Sequence, residues 1–146
     1  MTDDGSPVLN QINLAVGDMA AMVEFYRRLG LKVDEPGPPW HRHHRTADIG
    51  DGLDLDFDSP EFAATWNQGL PGHQPRAVIG FRVSDRDAVD RTYFDLTQAG
   101  YVGQQEPYDA FWGARYAVVE DPDGNSVGLM SPVDPGRRSP PPAPPA

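Results

Sequence analysis

The sequence predicts an α+β fold of two tandem βαβββ modules, whose strands form a curled mixed sheet around a central cleft. Three observations predict it. A strand–helix–strand pattern occurs twice at a fixed spacing, two further alternating runs follow each copy, and Asp/Gly turn chemistry separates those runs.

The first copy opens at Val8–Val16, where apolar and polar residues alternate as in a half-buried strand. Asp18 is then placed to cap a helix on which Met19, Met22, Val23, Tyr26 and Leu29 recur at helical spacing, and Gly30 closes it. Leu31–Val33 begins the next strand. The second copy runs from Ala77–Val83 through the capping Asp85 to a helix marked by Val89, Tyr93 and Leu96. Gly100 stops that helix, and Tyr101–Val102 begins a strand. Val16 matches Val83 and Asp18 matches Asp85, each pair 67 residues apart (83 − 16 and 85 − 18). Arg45–Ile49 and Leu53–Phe57 then flank Gly50-Asp51-Gly52. Arg115–Val119 and Ser126–Met130 flank Asp121-Pro122-Asp123-Gly124, so each half closes on a hairpin. One helix cannot cover both faces of a four-stranded sheet, and the uncovered faces are where a ligand is expected.

The expected organisation is a disordered start at 1–7, one domain over 8–133 (module one 8–70, module two 76–133), and a disordered proline-rich tail at 134–146. Its 146 residues are enough to bury a core. No apolar run approaches the ~20 residues of a membrane span, and Met1–Pro7 lacks the features of a secretory signal, so a cytoplasmic location without membrane contact is expected. The absence of cysteine excludes disulfides, thiolate metal sites and cysteine nucleophiles. A formal charge of −10 argues against nucleic-acid binding and would gather cationic small molecules. Hydrolase elbows, phosphate loops and dinucleotide fingerprints are missing.

With Val16-Gly17-Asp18, Phe25-Tyr26, Leu29-Gly30-Leu31 and Asp121-Pro122-Asp123-Gly124-Asn125, the chain resembles the glyoxalase, bleomycin-resistance and extradiol-dioxygenase superfamily, which shares the vicinal-oxygen-chelate (VOC) fold. The resemblance covers nearly all of residues 8–132. It implies a divalent metal held by one residue from the first and one from the last strand of each module. The landmarks place those positions at Gln11, Asp54, Val78 and Gly128. Gln11 and Asp54 offer oxygen atoms and stand as vestigial candidates, whereas Val78 and Gly128 offer none, too few for a catalytic metal. No cofactor is therefore expected, and a divalent metal is the disfavoured alternative. Members lacking these ligands are typically drug-binding resistance proteins, and the superfamily's habit implies a homodimer.

Candidate site residues remain open between two readings. Asp54 and Asp56, with Asp58, form a carboxylate row on one strand face, either solvated or lining the cleft. Trp40, Trp66, Phe111 and Trp112, with Phe62 and Tyr108, lie in connecting segments, either as loop anchors or as a stacking box for a flat ligand. Trp112-Gly113 resembles an aromatic–glycine feature of bleomycin-resistance-like members. His41, His43 and His44 are either structural or ligand contacts. The expected function is metal-free sequestration of an aromatic, possibly cationic, small molecule such as an antibiotic. The alternative is a metal-dependent lyase, isomerase or dioxygenase.

Overall fold

The structure is a computed structural model that describes residues 11–66 and 78–140, with the side chains of Thr65 and Trp66 left out. The chain forms two compact units, residues 1–73 and 74–146. The division falls in the interval between the two expected modules.

In the first unit β1 (Gln11–Ala15) leads to α1 (Met19–Leu29), then β2 (His44–Gly50), β3 (Leu53–Asp58) and α2 (Pro60–Trp66). β3 lies centrally, parallel to β1 and antiparallel to β2. Asp18 caps α1 by accepting the Ala21 N–H at 3.1 Å, and the left-handed Gly30 ends it. Such a φ of +116° costs glycine little and any other residue much. The helix buries Met22, Val23, Phe25 and Tyr26, and the Tyr26 ring meets Phe57 of β3 at 5.0 Å. Leu55 and Phe57 are fully buried on that side. Each such side chain stabilises the fold by about 1.5–3 kcal/mol.

Two local expectations change. Leu31–Val33 contributes only an isolated bridge, Val33 to Ala47, because Pro36, Pro38 and Pro39 follow and cannot donate to a ladder. Residues 60–66, expected as a connection, form α2, whose Phe62 N–H is accepted by the Ser59 hydroxyl at 3.1 Å.

The second unit contains β4 (Val78–Arg82), α3 (Arg86–Gln98), β5 (Gly103–Asp109), β6 (Arg115–Glu120) and β7 (Ser126–Met130). Its sheet order is β4-β7-β6-β5, with β4 and β7 parallel. Asp85 caps α3 through the Ala88 N–H at 2.8 Å, and the helix buries Ala88, Val89, Tyr93 and Leu96. β5 begins two residues later than Tyr101 and carries register shifts around Pro107, as an edge strand tolerates.

The tail is a correction as far as residue 140. Pro135–Arg137 form a 3-10 turn that Asp134 caps. The Asp134 N–H donates to the Gly113 carbonyl at 2.9 Å, Ser139 N–H to Phe111 at 2.9 Å, and Arg138 Nε to Trp112 at 3.3 Å. Two backbone hydrogen bonds and one from an arginine side chain thus order a segment that has few hydrophobic side chains. Residues 1–7 and 141–146 lie outside the described residues.

Candidate ligand-binding site

On β3 the residues alternate between two chemistries. Leu55 and Phe57 join the core under α1, which turns Asp54, Asp56 and Asp58 to the opposite face. On that face Gln11 pairs with Asp54 and Asn13 with Asp56, while β2 sets Thr46 beside Asp56 and His44 beside Asp58. Asp58 is 1% exposed. One carboxylate oxygen meets His44 Nδ1 at 2.5 Å, and the other accepts from Asn13 Nδ2 at 3.3 Å. His44 Nε2 and the Thr46 hydroxyl lie 3.2 Å apart, within hydrogen-bonding distance. The carboxylate thus fixes the orientation of a half-exposed histidine.

His43 pairs instead with the Ser59 hydroxyl at 2.9 Å, and His41 Nδ1 is buried without a partner among the described residues. The histidines of 41–44 therefore go to separate places. Among the described residues no three His, Cys, Asp or Glu side chains are grouped to hold a metal.

The aromatics expected in one box form two groups, one in each unit. In the first, Trp40 opens a 3-10 turn and its ring meets Phe62 at 5.4 Å, with His44 5.6 Å from Phe62. In the second, Trp112 meets Phe111 at 5.2 Å, Tyr116 at 5.4 Å and Tyr108 at 6.5 Å, all edge to face. Trp66 ends α2, and its side chain lies outside the described residues. Burial, with the neighbouring Tyr108, pushes the Tyr116 phenol above its usual range, which disfavours a phenolate there.

Beside this aromatic group Arg115 grips Asp90 at 2.9 Å and Asp109 at 3.2 Å, and Arg86 also pairs with Asp109. Partial burial would raise the Asp109 carboxyl, but hydrogen bonding to Arg115 and the charges of Arg86, Arg115 and Arg137 hold it below the usual carboxylate range. This network braces β5 and β6 against α3.

Among the described residues of the first unit, two hollows are lined by neither Trp40, Asp54 nor Asp56. One of about 550 Å³ lies along α1 between Arg27, Arg28, Glu35 and Arg45. Another of about 400 Å³ is bounded by Met19, Arg42, His43 and Ser59.

The sequence matches the Glyoxalase/Bleomycin resistance protein/Dioxygenase superfamily over residues 8–129. The chain belongs to that superfamily. It is 30% identical over 130 residues to YraH, an uncharacterised protein of Bacillus subtilis (strain 168), covering 83% of this chain and 95% of the relative. A glyoxalase-related enzyme from Fulvimarina pelagi shares the fold at a TM-score of 0.73 and 17% identity, covering 85% of this chain and 87% of that one. A glyoxalase/bleomycin resistance protein/dioxygenase family enzyme from Burkholderia phytofirmans PsJN does so at 0.71 and 23%, covering 84% and 96%. Lactoylglutathione lyase from Agrobacterium tumefaciens follows at 0.65 and 20%, covering 87% and 94%.

Strand register corrects the superfamily ligand positions placed by sequence. Gln11 pairs with Asp54 as Val78 pairs with Ser126, and Asn13 pairs with Asp56 as Gly80 pairs with Gly128. The counterpart of Gly128 is therefore Asp56, and that of Asp54 is Ser126. Either set leaves the second unit poor in ligand atoms. Val78 is a 55% exposed hydrocarbon, and the Ser126 hydroxyl is held by Gln104 at 2.9 Å. A Cβ built on Gly128 would meet Tyr116 Oη at 2.9 Å, so the phenol ring covers that position. These residues do not fit the superfamily's four-ligand metal.

What the sequence missed was the His44–Asp58 pair. Its signal was countable: the two residues lie equally far from Asp51 in the hairpin turn (51 − 44 and 58 − 51).

Proposed function

We propose that this protein binds a flat, aromatic small molecule without a catalytic metal and sequesters it, in the manner of bleomycin-resistance-type members of its superfamily. The observation that carries the reading is the Tyr116 ring over Gly128, beside Trp112, Tyr108 and Phe111, where the superfamily would have a ligand carboxylate. Rings there offer stacking surface in place of metal-ligating oxygen. An antibiotic is the compound class that family analogy supplies. The protein acts as a homodimer on the same analogy.

A panel of flat compounds titrated against tryptophan fluorescence and melting temperature tests this. Ligand at a hundredfold over its Kd stabilises the fold by about 2.7 kcal/mol. Trp112→Ala weakens binding by roughly 1–3 kcal/mol while leaving the unliganded protein close to the parent in stability. A variant that melts early yet binds as the parent does would make Trp112 a packing anchor for Phe111, Tyr108 and Tyr116, and the stacking reading would fail.

A second reading, a lyase or dioxygenase, draws on the His44–Asp58 pair, since an imidazole oriented by a buried carboxylate suits proton transfer. Metal analysis of purified protein separates the two. One tightly held transition metal per chain, lost in Gln11→Ala or Asp56→Ala, favours the enzyme.

A further inference from the structure

The hollow of about 550 Å³ along α1 lies within the first unit, and Arg27 and Arg28 of α1 and Arg45 of β2 line it beside Ala20 and Val23. Main-chain carbonyls orient two of these guanidinium groups. Arg45 is 7% exposed, and it donates from Nε to Asp34 at 2.8 Å and from Nη1 to His41 at 3.4 Å. Arg27 Nη2 donates to the Val33 carbonyl at 2.8 Å. Carbonyl acceptors fix a guanidinium without cancelling its charge. The carboxylate that meets both charges is Glu35, which takes Arg27 Nη1 at 2.8 Å and Arg45 Nη2 at 3.3 Å on a single oxygen. Asp34 Oδ1 stands farther off, 3.7 Å from Arg45 Nε, and accepts the Thr46 N–H at 2.8 Å. The Glu35 side chain is 73% exposed at the rim, so it can swing into water while the arginines stay in place.

We infer that this hollow binds a small organic molecule through its carboxylate, which takes the place of Glu35 between Arg27 and Arg45. The planar fork of an arginine matches both oxygens of a carboxylate, and Glu35 offers it only one. The volume suits an organic body behind that group, with Ala20 and Val23 as its apolar contacts. A dianion such as a phosphate monoester is the poorer occupant. Glu24 and Glu35 line the same hollow, and the net charge of −10 opposes each added negative charge. Glu35 is then a tethered competitor that weakens binding until it moves aside. This site uses none of the rings around Tyr116 and stands apart from the sequestration of flat compounds.

The test uses probes that are not flat, so that stacking on the aromatic group contributes nothing. Cyclohexanecarboxylate, its neutral carboxamide and cyclohexyl phosphate are titrated by calorimetry, in mildly alkaline buffer, into the parent, Glu35→Gln and the double variant Arg27→Gln/Glu35→Gln. Glu35→Gln binds the carboxylate at least about tenfold more tightly than the parent does, because the tethered competitor is gone. The double variant loses that gain, and the carboxamide binds none of the three. In Glu35→Gln the Arg45 Nε–H resonance moves as the carboxylate is added. Equal affinity of the parent and Glu35→Gln overturns the inference, and a lower melting temperature of that variant would then make Glu35 a staple of its loop to α1 and β2. Binding that survives Arg27→Gln, or that leaves the Arg45 resonance in place, puts the probe elsewhere and overturns it too. Tighter binding of the phosphate than of the carboxylate overturns the assigned ligand class.

Discussion

Gly113 shows how one residue can tie distant parts of a chain. Its φ is +96°, and a Cβ there would sit 2.4 Å from the Asp134 carbonyl oxygen, which is backbone and cannot swing away. Its own carbonyl accepts the Asp134 N–H. Gly113→Ala therefore lowers stability by roughly 1–3 kcal/mol, from the left-handed backbone and the displaced tail turn. Gly128→Ala adds a Cβ near Tyr116 Oη, the end of a side chain that can shift, and no positive φ opposes it. Chemical denaturation should rank Gly113→Ala well below Gly128→Ala, and the reverse order would overturn this account. The aromatic–glycine pair at 112–113 was visible in the sequence. Its reason was not, because Asp134 lies in a segment whose composition signals only disorder.

At the scale of elements, what was legible is what is encoded locally. Asp18 and Asp85 stand one residue before the first residue of their helices, Met19 and Arg86, and each accepts a backbone N–H three residues on. Replacing either with alanine costs about 1 kcal/mol of stability, measurable as a shift of the denaturation midpoint at unchanged slope. Equal stability of both variants and the parent would mean that the caps are idle. Pairing across the sheet was harder to read. Choosing Asp54 as the counterpart of Gly128 is an error of two residues, which preserves the strand face and so leaves no trace in the apolar–polar alternation; only the ladder resolves it. The aromatics follow the same logic. Trp40 and Trp112 share a composition signal, yet each finds its ring partners within its own unit, and which loops meet is a property of topology.

For the whole molecule, acidity and pairing act in opposite directions as pH changes. The charge of −10 is self-repelling near neutrality, so mild acidification relieves strain in the compact state. Below that range the ion pairs are lost. Glu35 is lowered by its hydrogen bond to Arg27 and by the charges of Arg27 and Arg45, and Asp109 is lowered by its arginines despite partial burial. A lowered folded pKa gives stability that is complete above the ordinary carboxylate value near ~4 and is lost as pH falls through the folded value. Both side chains are largely exposed, so salt should flatten this acid limb. Tyr116 behaves in the opposite sense. Its raised folded pKa gives stability that is complete below the ordinary phenol value near ~10 and is lost as pH rises through the folded value. Denaturation midpoints recorded from acid to alkali should therefore form a dome, with salt acting more on the acid side. Tyr116→Phe keeps the ring that covers Gly128 but has no phenol to ionise, so its alkaline limb should be shallower than the parent's. An alkaline limb of unchanged steepness would assign the loss to other tyrosines and remove Tyr116 from the account.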